Sequence, residues 1–113
     1  MPWKFSVKQV SCEGKPASLL RVSCGDLKWL ERHGSRLCQH LSDDLEGIQI
    51  GKMEPLYLVE GPNSTLLGLL LGRHVHGVVA VYMPRIRGYV VGATCLGHWK
   101  AGYVFPLSAI EGR

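Results

Sequence analysis

Three side chains that can exchange protons lie within nine residues in the middle of the chain, His74, His76 and Tyr82. A histidine or tyrosine base, with an arginine that stabilises a phosphorane, is the minimum for a ribonuclease that uses no metal. The other interpretation is that both histidines lie at a strand end beside solvent. Because proton transfer needs a geometry that spacing alone does not supply, we favour a non-enzymatic protein without catalytic residues. A small basic ribonuclease of toxin type is the alternative.

The histidines and cysteines do not follow a recognisable metal-binding motif. His74 and His76 would lie on one face of a strand, which is the closest approach to ligand spacing in the chain. The four cysteines, Cys12, Cys24, Cys38 and Cys95, are too far apart in sequence for a paired-cysteine zinc site. We therefore predict no metal and no other cofactor, and we interpret the cysteines as small core residues that remain thiols.

Acidic residues are distributed unevenly along the chain. Residues 61–110 contain no Asp or Glu, whereas residues 61–113 hold five Lys or Arg. A surface of one sign attracts phosphate, and arginine with an aromatic stacking face is a combination used on RNA. The residues predicted to bind nucleic acid or the ribosome are Arg73, Arg85, Arg87, Trp99 and Lys100. Two alternatives stay open, that the net charge of +4 serves only solubility and that Trp99 is a core residue.

The positions of apolar residues predict one helix and about six short strands. The helix spans 26–42, because its apolar residues recur at helical spacing and leave the charged residues elsewhere on its circumference. Strands are predicted at 3–7, 48–50, 56–59, 75–83, 89–96 and 103–107, and the run 18–23 is either a short strand or a lead into the helix. Residues 66–71 form a strand or one helical turn, and the flanking Gly68 and Gly72 favour extended structure.

This element content predicts a mainly β fold of the α+β class in one domain, residues 1–113. Short strands with a turn about every ten residues are typical of a small, irregular, six-stranded mixed or antiparallel β-barrel with one flanking helix. If the strands after residue 75 form a meander, the turns at 85–87 and 98–100 lie at opposite ends of the strand that begins at Tyr89. The last four residues, 110–113, match a protease site used to remove tags, so we give them no functional weight.

No apolar run approaches the ~20 residues of a membrane-spanning helix, and the start of the chain lacks the pattern of a secretory signal. We expect a soluble, cytoplasmic monomer that does not bind membranes.

The order of elements resembles the leader protein of coronaviruses, non-structural protein 1. The resemblance spans roughly Val7 to Ile110. It rests on the segments RLCQHL (36–41), EGIQI (46–50), EPLYLV (54–59), HVHGVVAV (74–81), GYVVG (88–92) and GYVFPL (102–107). It implies an irregular six-stranded barrel with a helix across one opening.

The resemblance also implies suppression of host gene expression in the host cytoplasm, through the small ribosomal subunit and host messenger RNA. Two features of the betacoronavirus proteins are missing, the basic segment after the barrel and the carboxy-terminal helical hairpin that plugs the messenger channel. The chain is therefore either one domain of that longer form or similar to the shorter alphacoronavirus form. A third interpretation is a barrel that binds a protein partner, such as an inhibitor.

Overall fold

A computed structural model describes residues 3–24, 32, 36, 56–61, 65, 68–69, 71–72, 77–94 and 99–113. Within these residues the chain forms seven strands and one short 3-10 helix. The strands are β1 (Trp3–Cys12), β2 (Lys15–Cys24), β3 (Leu56–Glu60), β4 (Val78–Met83), β5 (Gly88–Thr94), β6 (Val104–Pro106) and β7 (Ile110–Glu111), and the 3-10 helix is Leu107–Ala109.

All seven strands belong to one sheet, in the order β6-β5-β4-β3-β2-β1-β7. The first and last strands of this order are neighbours in sequence, joined by the 3-10 helix, so the sheet curls until its two edges nearly meet. The backbone N–H of Glu13, in the turn after β1, donates to the carbonyl of Ala109 at 2.9 Å. This bond ties the 3-10 helix between β6 and β7 to the end of β1. A closed sheet leaves few unpaired backbone groups for other chains to bind.

The sheet is mixed. β2 pairs with β3 and β3 with β4 in parallel, while the pairs β1–β2, β4–β5, β5–β6 and β1–β7 are antiparallel. Parallel pairs need a crossover connection, which is why long segments separate β2 from β3 and β3 from β4. The antiparallel pairs β1–β2 and β4–β5 are hairpins with short turns. The first turn has Glu13 and Gly14 at positive φ, 51° and 79°, which is the backbone of a tight two-residue hairpin loop.

The central strands are buried on both faces. β3 has no exposed residue. The barrel interior is filled by alternate residues, among them Ala17, Leu19, Leu56, Leu58, Val78, Ala80, Tyr89, Val91 and Phe105. On the opposite face Leu20, Val59 and Val79 are also buried. Burial on two faces is expected of parallel strands, because their crossover connections pack against the sheet.

Helical residues cover part of that outer face. Residues 65, 68–69 and 71–72 are helical, so the expectation of extended structure at 66–71 is wrong for the residues that the structure describes there. An added Cβ on Gly68 would overlap Val81, and one on Gly72 would lie 2.6 Å from the Cβ of Ala93. The two glycines therefore mark close packing of a helical segment on β4 and β5, which sequence alone does not distinguish from a bend in a strand.

The predicted fold class is confirmed as a mixed, nearly closed, barrel-like sheet, with seven strands described where six were predicted. The uncertain run at 18–23 belongs to a full strand, and the meander of β4, β5 and β6 is present. Arg32 and Arg36 are helical, in line with the predicted helix at 26–42. The rest of that helix and the strand at 48–50 lie outside the described residues.

The chain's last residues, to which sequence analysis assigns no functional weight, form part of the sheet. Ile110 is buried at 7% exposure and, with Glu111, forms the strand that pairs with β1. A match to a protease recognition site carries no information about packing, so the sequence did not predict this seventh strand.

Candidate nucleic-acid interface

A broad depression lies where β2, β3 and β4 end. These three strands run in parallel, so their carboxyl ends meet at one end of the barrel. The depression has a volume of about 590 Å³ and is lined by Arg21, Glu60, Gly61, Thr65, Tyr82, Met83 and Pro84. Ligands of sheets with parallel strands commonly bind at the carboxyl ends of those strands, so this end of the barrel is the first place to look for a site.

One buried carboxylate organises the floor of the depression. Glu60 is 8% exposed, and its Oε1 accepts a hydrogen bond from Nε of Arg21. Its Oε2 accepts hydrogen bonds from the hydroxyl of Tyr89 at 2.7 Å and from Nη2 of Arg113 at 3.1 Å. We call these four residues the Glu60 network. It joins β2, β3, β5 and the carboxyl-terminal segment.

Three pKa shifts follow from this geometry. Burial alone would raise the pKa of Glu60, but the hydrogen bonds from Tyr89, Arg21 and Arg113 outweigh it and hold the pKa below its usual range. Burial and the hydrogen bond to Glu60 raise the pKa of Tyr89 to about 12. Hydrogen bonds to Tyr89 and Glu60 also raise the pKa of Arg113. At neutral pH the network is therefore one carboxylate, two guanidinium groups and a neutral phenol.

The hairpin turn between β4 and β5 forms a wall beside this network. We call residues 84–87 the basic turn. It is closed by hydrogen bonds from the N–H of Ile86 to the carbonyl of Met83 (3.2 Å) and from the N–H of Arg87 to the carbonyl of Pro84 (3.3 Å). Both Arg85 and Arg87 are exposed. Neither forms an ion pair with any carboxylate among the described residues.

Arg87 adopts a conformation that arginine seldom adopts. Its φ is 48°, in the left-handed region where glycine and asparagine cost less. A non-glycine residue there costs on the order of 1 kcal/mol or more, and such strain is often found at functional positions. Arg87 thus occupies a position that local backbone energetics would give to glycine.

Apolar groups lie among these charges. Ile86 is 53% exposed and Met83 is 42% exposed. Of the side chains described at this end, four arginines stand against Glu60, a net charge of +3. The surface is therefore cationic with apolar patches, which suits a partner that combines phosphate with flat apolar groups.

The predicted binding residues do not form one surface. Arg85 and Arg87 share the basic turn, whereas Lys100 is exposed at the other end of the barrel, as the meander prediction required. Trp99 is only 6% exposed and packs edge-on against Phe105, with ring centroids 5.2 Å apart. The core interpretation of Trp99 is thus the correct one, and its ring offers no free stacking face. Arg73 lies outside the described residues.

The residues of the ribonuclease interpretation are described only in part. His74 and His76 lie outside the described residues. Tyr82 is half-buried, with its ring 5.3 Å from that of Tyr89 and 5.8 Å from the guanidinium carbon of Arg113. Those contacts fix it as part of the packing around the Glu60 network.

All five histidines lie outside the described residues, so a metal site can be sought only among the other ligand types. No group of three or more His, Cys, Asp or Glu that could hold a metal ion occurs in the described part of the chain. Cys12 is fully buried, and burial together with the nearby Glu13 raises the pKa of its thiol to about 11, so it behaves as a small core residue. Cys24 lies in β2, and Cys38 and Cys95 are outside the described residues.

Sequence reasoning missed the Glu60 network. Arg21, Glu60 and Arg113 are far apart in the chain, and their meeting depends on parallel pairing of β2 with β3 and on the path of the last residues. One signal was available, since Glu60 ends an apolar strand and is the last acidic residue before the long segment without any. Every charged residue between Glu60 and Glu111 is basic, so an ion pair of Glu60 with that segment can only be with a cation.

Comparison with protein-family models, with curated proteins and with solved structures finds no match for this chain. In the part of the chain that the structure describes, no helix has the length and apolar character needed to cross a membrane.

Proposed function

We propose that this chain is a non-enzymatic suppressor of host gene expression of the viral leader type, which contacts the ribosome's RNA or messenger RNA through the basic turn. The observation that carries the proposal is the exposure of Arg85 and Arg87 without an ion-pair partner among the described residues. Arginine fits phosphate through paired N–H donors, so two unpaired arginines on a rigid turn form a ready contact for a nucleic-acid backbone.

Three further features support this choice. The left-handed backbone at Arg87 holds a cation at a position better suited to glycine. The neighbouring Glu60 does not cancel the charge of the turn, because Arg21 and Arg113 already occupy it. Of the six segments that carry the resemblance to coronavirus leader proteins, four overlap β3, β4, β5 and β6, and the other two, 36–41 and 46–50, lie outside the described residues apart from Arg36.

A protein partner is the second candidate. Exposed Ile86 and Met83 beside the arginines would also suit a ribosomal protein or another protein ligand. The two candidates differ in their response to salt, because release of counterions from RNA makes its binding steeply dependent on ionic strength.

The test is a double charge reversal, Arg85→Glu with Arg87→Glu. We expect repression of a reporter messenger in cell lysate to be lost, and the affinity for RNA measured by fluorescence anisotropy to fall more than about tenfold. Loss of two phosphate contacts should also reduce the slope of log affinity against log salt by about 1.4 for single-stranded RNA.

The matched control is Lys8→Glu with Lys100→Glu, which changes the net charge equally at exposed positions away from the basic turn. This variant should keep repression and most of the RNA affinity. Equal losses in both variants would mean that only net charge matters, and retained repression in the first variant would refute the proposal. Both variants should keep the melting temperature of the parent protein.

A further inference from the structure

We propose that the depression beside the basic turn is a binding site for one nucleotide of single-stranded RNA, with its phosphate on Arg21 and its base against Tyr82, Met83 and Pro84. This inference deepens the proposed function, because it names the form of nucleic acid that the basic end of the barrel would take. It rests on the shape and lining of the depression.

Arg21 supplies the phosphate contact. Its side chain is 52% exposed, and its Nε donates to Glu60, which fixes the plane of the guanidinium group. A guanidinium held through Nε can present its terminal nitrogens as a fork toward a ligand, and this paired geometry fits phosphate oxygens. Thr65 adds a hydroxyl on the same lining. Glu60 does not repel the ligand strongly, because Arg113 and Tyr89 also neutralise and bind it.

The remaining lining suits a base. Met83 and Pro84 offer a thioether side chain and a pyrrolidine ring, and Tyr82 adds the part of its side chain that its contacts with Tyr89 and Arg113 leave exposed. The volume of about 590 Å³ falls within the range of small-molecule sites and leaves room for one nucleotide. Bases of single-stranded nucleic acids stack on such groups, whereas a base inside a duplex cannot leave its partner without cost.

The basic turn determines where the rest of the bound RNA strand would lie. Pro84 lines the depression and also begins the turn that carries Arg85 and Arg87. A nucleotide in the depression would thus place the phosphates that follow it along the exposed arginines. Duplex RNA could contact only the arginines of the basic turn, whereas single-stranded RNA could contact both those arginines and the depression.

The pocket is tested with uridine 5′-monophosphate, inorganic phosphate and uridine as separate probes, followed by amide and methyl NMR signals. We expect the nucleotide to shift signals of Gly61, Thr65 and Met83 with a millimolar dissociation constant, and each fragment to bind several times more weakly. Arg21→Lys keeps a charge for Glu60 but loses the fork, so it should weaken nucleotide binding, and Lys8→Gln, at an exposed position on β1, should not.

Three results would overturn the inference: no shifts at these residues up to roughly 10 mM nucleotide, equal binding of inorganic phosphate, or equal binding of an acidic peptide. A second arm compares a hexauridylate with an abasic oligomer of the same length, which should bind roughly fivefold or more weakly to the parent protein. Equal binding of the two oligomers would also overturn it.

Failure of this inference can be told from failure of the proposed function. The double variant Arg85→Glu, Arg87→Glu leaves the depression intact, so mononucleotide shifts should persist in it even where repression is lost. If repression depends on the arginines but the nucleotide produces no shifts, the function stands without the nucleotide site. If the nucleotide binds and no variant affects repression, the site stands without the function.

Discussion

Glu60 pairs with two of the four arginines described at this end of the barrel, Arg21 and Arg113. Its two oxygens receive three donors from three separate parts of the chain. A buried carboxylate without such donors would carry a large desolvation cost, and removal of one partner from a satisfied network leaves the others unpaired. The network thus stabilises the junction of β2, β3, β5 and the last residues, and it orients Arg21 toward the depression.

The Glu60 network predicts a specific dependence of stability on pH. Because hydrogen bonds place the pKa of Glu60 below its unfolded value, its contribution is present above about pH 4.3 and is lost as pH falls through the folded pKa. We expect Glu60→Gln to lower the free energy of unfolding by about 1–3 kcal/mol at neutral pH. The difference from the parent protein should shrink as pH falls below 4, as measured by urea unfolding at several pH values.

The control is Glu111→Gln, because Glu111 is exposed and has no side-chain hydrogen bond to a residue that the structure describes. Its effect should stay within about 0.5 kcal/mol. A constant loss in Glu60→Gln from neutral to acid pH would mean that the charge of Glu60 contributes nothing, and that the substitution acts through packing alone.

Tyr103 offers a comparison with Tyr89 at the opposite end of the barrel. The hydroxyl of Tyr103 donates to Glu13 at 2.7 Å, the same distance as the bond from Tyr89 to Glu60, and this hydrogen bond raises the pKa of Tyr103. Tyr103 is 42% exposed, whereas Tyr89 is fully buried. Equal distances therefore do not mean equal contributions, because water replaces a lost partner only at the exposed site.

At the scale of elements, the crossover between β3 and β4 contains helical residues that pack closely on the sheet. Gly68 and Gly72 are four residues apart, so they share one face of a helix. Their missing side chains let that face lie against Val81 and Ala93. The connection therefore covers the outer face of strands whose inner face already fills the barrel.

Substitution of these glycines should be costly. In Gly72→Ala the new Cβ would lie 2.6 Å from the Cβ of Ala93, which cannot rotate away, so the backbone must shift. We expect a loss of about 1–3 kcal/mol in the free energy of unfolding, measured by denaturant titration. The matched variant is Gly92→Ala, where an added Cβ meets nothing within 4 Å.

Gly92→Ala should leave stability unchanged or improve it by up to about 1 kcal/mol, because alanine restricts the unfolded chain. Equal losses at both positions would show that the effect does not come from the contact with Ala93. If Gly72→Ala caused no loss of stability, that result would contradict the close helix–sheet packing described for this connection.

Sequence reasoning reached the strands and missed the helical connection for identifiable reasons. Alternation and turn residues predicted β4, β5 and β6 as a meander, because each of these contacts is local in the chain. Leu66 to Leu71 is an apolar run too short for periodicity to separate helix from strand, and its glycines favoured the wrong choice. The parallel pairs depend on crossovers that no local pattern reports.

The same distinction applies to the site. Arg85 and Arg87 were found from composition and a turn signal, and both are exposed where the turn places them. The role of Trp99 was ambiguous, because a tryptophan beside a lysine gives the same sequence pattern whether its ring contacts a ligand or packs against Phe105. Arg21, Glu60 and Arg113 could not be assembled, since their contacts span 39 and 53 residues.

At the scale of the whole molecule, the two ends of the barrel differ in charge. One end has the basic turn and the Glu60 network. At the other, Glu13 accepts hydrogen bonds from Trp99 at 3.3 Å and Tyr103 at 2.7 Å, with Lys15 5.0 Å from the Trp99 ring. A polyanion approaching the described surface therefore meets its strongest attraction at the first end. Among the described residues the positive charge is thus concentrated at one end, which a net charge of +4 alone does not reveal.

The most direct measurement of this directional claim is an NMR footprint of a single-stranded oligoribonucleotide on the parent protein. The predicted result is that amide signals of Gly61, Thr65, Met83 and residues 85–88 shift together, and that the shifts fade as salt is raised. Signals of residues 13–15 and 99–103 should stay in place. Shifts centred on the Glu13 end, or spread evenly over the barrel, would contradict the claim that RNA binds at the basic turn.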